Sequence, residues 1–374
     1  MRRFLFVALA LMIALCSVCS AANYTQPKKI ADYLYYMEYT DYTPNFKTGD
    51  NIKPGFYCSG VRNGNFHGRN LDLDYCDVPE FVVKMKAGKD RFASIGICAI
   101  MTAKQAQFDK ITPEELAAMP NITFDGINEN GVVAQHNVAP AWDLNFKTLR
   151  GTNPGKSRIH AVTTVRYVLD HAKSAKHAIE LLSNMDIYGG YGGWGLHMLI
   201  SDPKESYVVE CIEGKLVAKP QNIMTNFYTN FGEVIPEQKV VGRVYKNFPE
   251  LTPSACGVER YEILRAHYAE GNTLEGMTRL MRRVQYSQAY MPETSPFWYT
   301  EYTEPKLGLT IDNKPADFEQ AVQKEYEVFK LKDRNYFPDN FWITWSTSIY
   351  NLQEKTLRLY VQEDYDHHYD FSLK

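Results

Sequence analysis

Residues 55–74 read GFYCSGVRNGNFHGRNLDLD, and this stretch decides how the chain is expected to fold. Two runs rich in strand-forming residues, 58–62 and 66–73, flank an Asn-Gly-Asn sequence that favours a tight turn. The pattern predicts a β-hairpin. Because paired strands bring residues of one strand beside those of the other, Arg69 is expected to lie close to Cys58.

A cysteine beside an arginine points to a reactive thiol. A free thiol has a pKa of about 8.5 and is mostly protonated at neutral pH, so it needs a base or a nearby cation. Arg69 supplies the cation, and Asp72 is placed to orient an amine. Cleavage of the chain before Cys58 creates an α-amine with a pKa of about 7.7–8.0, which suits a general base. The same residues also fit a buried cysteine beside a structural Arg–Asp pair.

The sequence before Cys58 divides into two segments. Residues 1–22 combine a basic start, an apolar run and small residues, which is typical of a secretory signal peptide and predicts a secreted or periplasmic protein. Residues 23–57 carry clustered tyrosines and then turn residues, and are interpreted as a pro-segment or N-terminal extension whose first half forms a short helix. Residues 58–374 are the expected catalytic domain.

Composition and charge narrow the classes of partner. The net charge is −3, which gives no basic surface for nucleic acid, and no later apolar run approaches the length of a membrane span, so no stable membrane anchor is expected. Aromatic residues make up 13% of the chain, which fits a large aromatic core or an apolar substrate cleft. Five cysteines follow the predicted signal peptide, and this odd number suggests one free thiol.

The order of predicted elements indicates the fold class. Strand patterns precede two helices at 157–171 and 174–182, a second group of strands follows, and two further helices precede the closing strands. Ser174 is the expected N-cap of one helix and Asn272 of another. This order favours an α+β protein in which two sheets lie between layers of helices.

Several segments together resemble one family. They are CSGVR with HGRNLDLD at the hairpin, DGINENGVVAQHN at 125–137, IMTN at 223–226, GVERY at 257–261, and the closing strands at 342–359. In this order they resemble the choloylglycine hydrolase and penicillin V acylase family of N-terminal-nucleophile hydrolases, which is distantly similar to acid ceramidase. The resemblance implies a four-layer αββα sandwich of two antiparallel sheets between helices.

The resemblance also implies a catalytic site. Its residues are Cys58, Arg69, Asp72, Asn137, Asn226 and Arg260. Cys58 resembles the nucleophile that also supplies the base, and Arg69 and Asp72 resemble the pair that tunes the thiolate and holds the α-amine. Asn137 resembles the oxyanion donor, although the spacing of its segment is one residue short and leaves Val138 as an alternative alignment. Asn226 resembles the residue that positions amine and substrate, and Arg260 the one that completes the polar network.

The implied activity is hydrolysis of a linear amide with an apolar acyl group. The cut falls between Tyr57 and Cys58, and no metal or cofactor is required. Conjugated bile salts rank first as substrates, followed by long-chain N-acyl amides, N-acyl homoserine lactones and penicillin V. His367 and His368 are adjacent, which points them to opposite faces of a strand and disfavours metal binding.

Two other hypotheses about the function remain open. One is a papain-like hydrolase whose base is His136 or His197, and the other is a catalytically inactive binding protein of the same fold. The oligomeric state is left open, with a homo-oligomer among the alternatives.

Overall fold

The computed structural model describes residues 23–47, 56–73, 79–99, 111–139, 153–189, 195–212, 214–230, 257–285 and 343–374. The predicted signal peptide, the end of the expected pro-segment at 48–55, and Cys76 and Cys256 lie outside the described residues. Cys58, Cys98 and Cys211 are buried free thiols.

The described strands, in chain order, are β1 Lys28–Ala31, β2 Leu34–Tyr39, β3 Phe56–Asn63, β4 Phe66–Leu73, β5 Glu80–Met85, β6 Ser94–Ala99, β7 Thr123–Asn128, β8 Val133–Ala139, β9 Ser157–His160, β10 Met185–Tyr188, β11 Gly195–Ser201, β12 Ser206–Ile212, β13 Lys215–Pro220, β14 Ile223–Met224, β15 Ile343–Asn351, β16 Thr356–Val361 and β17 Tyr369–Ser372. The described α-helices are α1 Pro113–Ala118, α2 Thr164–His171, α3 Ala175–Ser183, α4 Val258–Ala266 and α5 Leu274–Arg283.

These strands form two large sheets. The nine-stranded sheet has the order β1-β2-β5-β6-β7-β8-β11-β12-β13, and the six-stranded sheet has the order β14-β3-β4-β15-β16-β17. The predicted hairpin is confirmed as β3 and β4, joined by a two-residue turn in which Gly64 has a φ of 56°. Strand pairing in both sheets is antiparallel except between β2 and β5, which run parallel. A separate parallel pair joins β9 and β10.

Side-chain alternation along β4 shows that the six-stranded sheet packs between a helix and the other sheet. Arg69 contacts Asp125 on β7 of the nine-stranded sheet. On the opposite face, Asn70 donates to the Met281 carbonyl of α5 at 2.9 Å. Gly68 lies on that same face, where a Cβ would meet Met281 Cγ at 2.6 Å. Successive residues of a strand point to opposite faces, so β4 has one face on each layer.

The nine-stranded sheet carries the other helical layer. Helix α2 packs on β7 and β8, and a Cβ at Gly126 of β7 would lie 2.6 Å from Leu169 Cδ1. Val165, Val168 and Leu169 of α2 are fully buried against this sheet. The order of layers is helix, sheet, sheet, helix, which confirms the predicted αββα sandwich. Within the described ranges, no helix has the length and apolar character needed to cross a membrane.

The helix expected in the first half of residues 23–57 is wrong, because this segment forms strands β1 and β2. Strand β2 pairs with β5 from Leu34 opposite Glu80 to Tyr39 opposite Met85. Leu34, Met37 and Tyr39 are fully buried. Leu34 packs into one core cluster, and Met37 and Tyr39 pack into another. Burial decides the local structure here, since a strand placed between β1 and β5 buries apolar side chains on both of its faces.

Two smaller predictions were also wrong. Residues 157–160 form strand β9 because they pair with β10, so helix α2 begins at Thr164. Helix α5 is capped by Thr273, whose side chain accepts a hydrogen bond from Gly276 N, and not by Asn272. The predicted N-cap at Ser174 is confirmed by its hydrogen bond from His177 N.

Side chains beyond the sheet edge also hold the N-terminal segment. The Tyr42 hydroxyl donates to the Asp170 carboxylate of α2 in a buried site. Asn121 accepts from the Asn45 N–H at 2.6 Å and donates to the Thr43 carbonyl at 3.3 Å. Residues 23–47 are therefore part of the packed structure.

Tyr42→Phe tests this attachment. We expect a loss of about 1.5–3 kcal/mol in the free energy of unfolding, because a buried hydrogen bond to a charged group is removed. Denaturant-induced unfolding measures this change. Tyr24→Phe is the matched control, since its hydroxyl donates to the Pro113 carbonyl at an exposed site, and we expect a change below about 0.5 kcal/mol. Equal effects of the two substitutions would contradict an anchoring role for Tyr42.

Candidate active site

The Cys58 thiol lies between the two sheets, where β3 faces β8. Its side chain is 1% exposed, and Arg69 Nη2 is 3.5 Å from its sulfur. Burial raises the pKa of the thiol to about 11, while the Arg69 charge and a hydrogen bond from the Asp72 backbone N–H lower it. The thiol is therefore protonated at neutral pH in the uncleaved chain, and its activation needs a base.

A buried carboxylate and a tyrosine hold Arg69 in place. Arg69 Nη1 donates to Asp125 Oδ1, and the Tyr350 hydroxyl donates to Asp125 Oδ2 at 2.6 Å. Both charged side chains are at most 1% exposed. The guanidinium consequently bridges Asp125 and the Cys58 sulfur, and its contact with Asp125 holds the positive charge in one position relative to the thiol.

Asp72 faces away from Arg69, because residues three apart on a strand point to opposite faces. Its carboxylate accepts from Arg260 Nη1 at 2.6 Å and from the Thr344 hydroxyl at 2.7 Å. Arg260 Nη2 donates to Asn226 Oδ1 at 2.6 Å, and the same oxygen accepts from the Cys58 N–H at 3.1 Å. Hydrogen bonds thus connect the Asp72 carboxylate to the backbone nitrogen of Cys58.

Burial raises the pKa of Asp72 to about 7, and the Arg260 charge and the Thr344 hydrogen bond oppose this rise. A buried carboxyl group whose pKa is shifted by burial and by a specific charged partner is a feature of functional sites. Asn226 follows β14, and its amide Nδ2 donates to the Val138 carbonyl of β8 at 2.7 Å. Asn226 therefore ties the two sheets together next to Cys58.

Asn137 lies beside the residue that precedes Asn226, and Asn226 in turn contacts the Cys58 nitrogen. Its Nδ2 donates to the Thr225 carbonyl at 3.1 Å, and its Oδ1 accepts from Gln135 Nε2 at 2.9 Å. These contacts orient the strand end that carries Asn226. Five of the six predicted residues are joined to one another by hydrogen bonds or ion pairs, and Asn137 joins them through the Thr225 backbone.

The two histidines considered as alternative bases have other contacts. His136 packs edge-to-face on Phe124, and burial lowers its pKa to about 3. His197 Nε2 is 2.8 Å from the Thr225 carbonyl and its Nδ1 is 3.5 Å from Glu210 Oε1. Both nitrogens of His197 therefore face acceptors of the surrounding fold.

Potential metal ligands do not converge in the part of the chain that the structure describes. No group of three His, Cys, Asp or Glu side chains there has the arrangement to hold a metal ion. His367 Nδ1 lies 2.9 Å from Asp364, and His368 Nε2 lies 3.6 Å from Asp370, so the adjacent histidines contact separate carboxylates.

Sequence reasoning missed three residues of this network: Asp125, Tyr350 and Thr344. Asp125 begins the quoted segment at 125–137, so an acidic residue within that motif was the available signal. Tyr350 and Thr344 lie on β15, nearly 300 residues after Cys58 in the sequence. Only the pairing of β15 with β4 brings them to the Cys58 site.

Residues 55–232 match the family described as linear amide C-N hydrolases, choloylglycine hydrolase family. A conjugated bile acid hydrolase variant from Clostridium perfringens has 14% sequence identity and a TM-score of 0.48, over 85% of this chain and 92% of that chain. Penicillin V acylase from Agrobacterium tumefaciens has 14% identity and a TM-score of 0.45, over 84% of this chain and 86% of that chain.

No curated protein matches the sequence significantly. The family match covers the hairpin with Cys58, the strands β7 and β8, and the strand end that carries Asn226. It confirms the resemblance predicted from the sequence motifs. Residues 55–232 are therefore similar to the choloylglycine hydrolase family of linear amide C–N hydrolases.

Proposed function

We propose that this protein is an exported amidase that hydrolyses the C–N bond of an N-acyl amide with Cys58 as its N-terminal nucleophile. One observation carries the proposal: the sulfur of Cys58 faces the Arg69 guanidinium, while its backbone nitrogen faces the Asn226 side chain. A nucleophile and a prospective α-amine are thus supported by separate polar groups. This is the arrangement that activation of a thiol by its own amine requires.

Maturation proceeds by attack of the Cys58 sulfur on the carbonyl carbon of Tyr57. The C–N bond between the two residues breaks, and the acyl group passes to sulfur as a thioester while the proton that the thiol loses passes to the nitrogen. Water then hydrolyses the thioester, which returns the thiol and leaves a carboxylate on Tyr57. The scissile bond lies within β3, opposite Leu71 and Asp72 of β4.

Catalysis then repeats this chemistry on a substrate. The α-amine of Cys58 takes the thiol proton, and the thiolate attacks the amide carbonyl. Arg69 stabilises the thiolate, and the second N–H of the Asn137 amide serves as an oxyanion donor together with a backbone N–H. The ammonium returns the proton to the leaving amine, and water clears the acyl-enzyme.

Residues 23–47 remain bound after cleavage in this proposal. Strand β2 has its full length paired with β5. Tyr42 adds a buried hydrogen bond and Asn121 a partly buried one. Loss of the segment would expose Leu34, Met37 and Tyr39, which are completely buried. The mature enzyme would consist of two non-covalently associated chains.

Conjugated bile salts are the first substrates to test, with long-chain N-acyl amides, N-acyl homoserine lactones and penicillin V as alternatives. The match of residues 55–232 to a family of linear amide hydrolases supports the reaction class. The high aromatic content supports an apolar acyl group.

A substrate panel tests the reaction. Purified protein is incubated with glycine- and taurine-conjugated bile salts, N-acyl amides of increasing chain length, and penicillin V, and the released amine is quantified. We expect release of amine from at least one class, without added metal and with no inhibition by a chelator. Binding of the acyl compounds without release from any of them would favour the inactive binding protein instead.

Substitution of the histidines discriminates the papain-like alternative. His197→Gln and His136→Gln should each keep the pH dependence of turnover if the α-amine is the base. A loss of activity by a factor of about 10³ or more with either one, in a protein whose chain remains uncleaved, would favour a Cys–His pair.

A further inference from the structure

Strand β15 contains a β-bulge at Trp345, next to the Cys58 site. Thr344 lies opposite Asp72 on β4, but Ser346 lies opposite Leu71, so two residues advance on β15 while one advances on β4. A bulge of this kind changes the direction of neighbouring side chains. In a regular strand, Thr344 and Ser346 would share a face.

The bulge sends these two hydroxyls to opposite sides of the sheet. Thr344 Oγ1 donates to Asp72 Oδ1 at 2.7 Å, on the face that carries Arg260. Ser346 Oγ donates to Glu80 Oε1 at 2.6 Å, on the face toward the nine-stranded sheet. Without the bulge, Thr344 could not meet Asp72 while Ser346 meets Glu80.

A strained turn supports the bulge. Gln362 and Glu363 have φ angles of 55° and 59°, in the left-handed region that costs non-glycine residues about 1–3 kcal/mol each. The Gln362 N–H donates to the Trp345 carbonyl at 2.7 Å, and Glu363 Oε1 accepts from the Thr344 N–H at 3.2 Å. Backbone groups of the bulge thus have hydrogen-bond partners in this turn. The same hydrogen bonds offset the cost of the left-handed conformation of Gln362 and Glu363.

We propose that Thr344 is a positioning residue for the reaction at Cys58, because the bulge aims its hydroxyl at Asp72 and holds that carboxylate in line with Arg260 and Asn226. The inference rests on the proposed function. Thr344 occupies one oxygen of the carboxylate and Arg260 the other, so loss of the hydroxyl frees the carboxylate to rotate about its contact with Arg260. That contact determines where Asn226 meets the Cys58 nitrogen.

The charged and titratable groups around Asp72 determine in which direction its pKa changes when the Thr344 hydroxyl is lost. Burial raises the pKa of Asp72 to about 7, whereas Arg260, the Thr344 hydroxyl and Arg69 lower it. Cys58 and Tyr365 also interact electrostatically with Asp72. Removal of the Thr344 hydroxyl takes away a contact that favours the ionised form, so the pKa of Asp72 must rise further.

Thr344→Val is the test variant, because valine keeps the shape and β-branching and loses only the hydroxyl. We expect kcat to fall about 10- to 100-fold with KM nearly unchanged, as for loss of a hydrogen bond to a charged group. We also expect the acidic limb of the pH–kcat profile to move upward by about one pH unit. Thr344→Ser keeps a hydroxyl at this position, so its kcat and the acidic limb of its pH profile should both lie close to those of the wild type.

Thr347→Val is the matched control on the same strand. Thr347 is also buried, and its hydroxyl donates to Asn70 Oδ1 at 2.8 Å on the same face of the sheet. We expect a comparable loss of stability with the wild-type pH profile. Equal losses of kcat in the two variants, with no shift in either profile, would overturn the proposal and leave Thr344 a purely structural residue.

A measurement without substrate separates this inference from the proposed function. The titration of Asp72 is followed by ¹³C NMR of aspartate-labelled protein, with the signal assigned by its absence in Asp72→Asn. We expect a higher midpoint in Thr344→Val than in the wild type or Thr347→Val, whether or not the protein hydrolyses an amide. Identical midpoints in all three proteins would contradict the role of Thr344, and an inactive wild type would contradict only the proposed function.

Discussion

Cys58→Ala is expected to abolish amide hydrolysis, by a factor of about 10⁴ or more, and to leave residues 23–57 covalently attached to the rest of the chain. The sulfur is the proposed nucleophile in both maturation and turnover, so one substitution removes both reactions. Intact mass and N-terminal sequencing of wild type and variant measure the cleavage. In the wild type, two chains should co-elute in size-exclusion chromatography and separate only in denaturant, because β2 is fully paired with β5.

Cys98→Ala and Cys211→Ala are the matched controls, since both are buried free thiols outside the site. Each should keep cleavage before Cys58 and amide hydrolysis, with only the stability loss of a small core truncation. Cleavage of the Cys58→Ala chain at the same bond would show that another protease performs the maturation. A wild type that is active while still uncleaved would exclude the α-amine as the base.

Arg69→Met is expected to have the second-largest effect, on both stability and catalysis. The substitution leaves Asp125 buried without its cationic partner, which should cost about 3–5 kcal/mol in the free energy of unfolding. It also removes the positive charge 3.5 Å from the Cys58 sulfur, so turnover should fall about 100-fold or more. Denaturant titration and kcat/KM measure the two effects separately.

Arg358→Met provides the control for removal of an arginine from the same sheet. Arg358 pairs with Asp370 at the surface, and the two side chains are 24% and 55% exposed, so at most about 1 kcal/mol should be lost. The double variant Arg69→Met/Asp125→Asn should regain part of the stability, because the unpaired charge is gone, but not the activity. Recovery of turnover in this double variant would contradict a direct action of Arg69 on the thiol.

The hairpin around Cys58 could be predicted because its determinants are local. Strand-forming residues on either side of an Asn-Gly-Asn turn set the register of β3 and β4, and this register brings Arg69 near Cys58. The residue types at Asn226 and Arg260 were recognisable only through their motifs. Spacing along the chain contains no information about the hydrogen bonds that join them.

The N-terminal segment shows why the remaining fold was less predictable. Its clustered tyrosines and turn residues suggested a short helix and a linker, but pairing with β5, which begins about 40 residues later, makes its first half two strands. Strand formation depends on the neighbouring strand more than on intrinsic preference. The expected helix start at residue 157 failed for the same reason, because β9 pairs with β10.

By itself, the sequence determined the layered α+β class, the hairpin that carries Cys58, and the chemical types of the polar residues around the thiol. Periodicity, turn residues and residue chemistry are properties of short stretches, so they can be read without the fold. Only the tertiary structure decided that Asp125 and Tyr350 hold Arg69, and that a bulge in β15 turns Thr344 toward Asp72. These contacts join residues more than 50 positions apart, and they form because two sheets pack face to face and bury polar side chains that must find partners there.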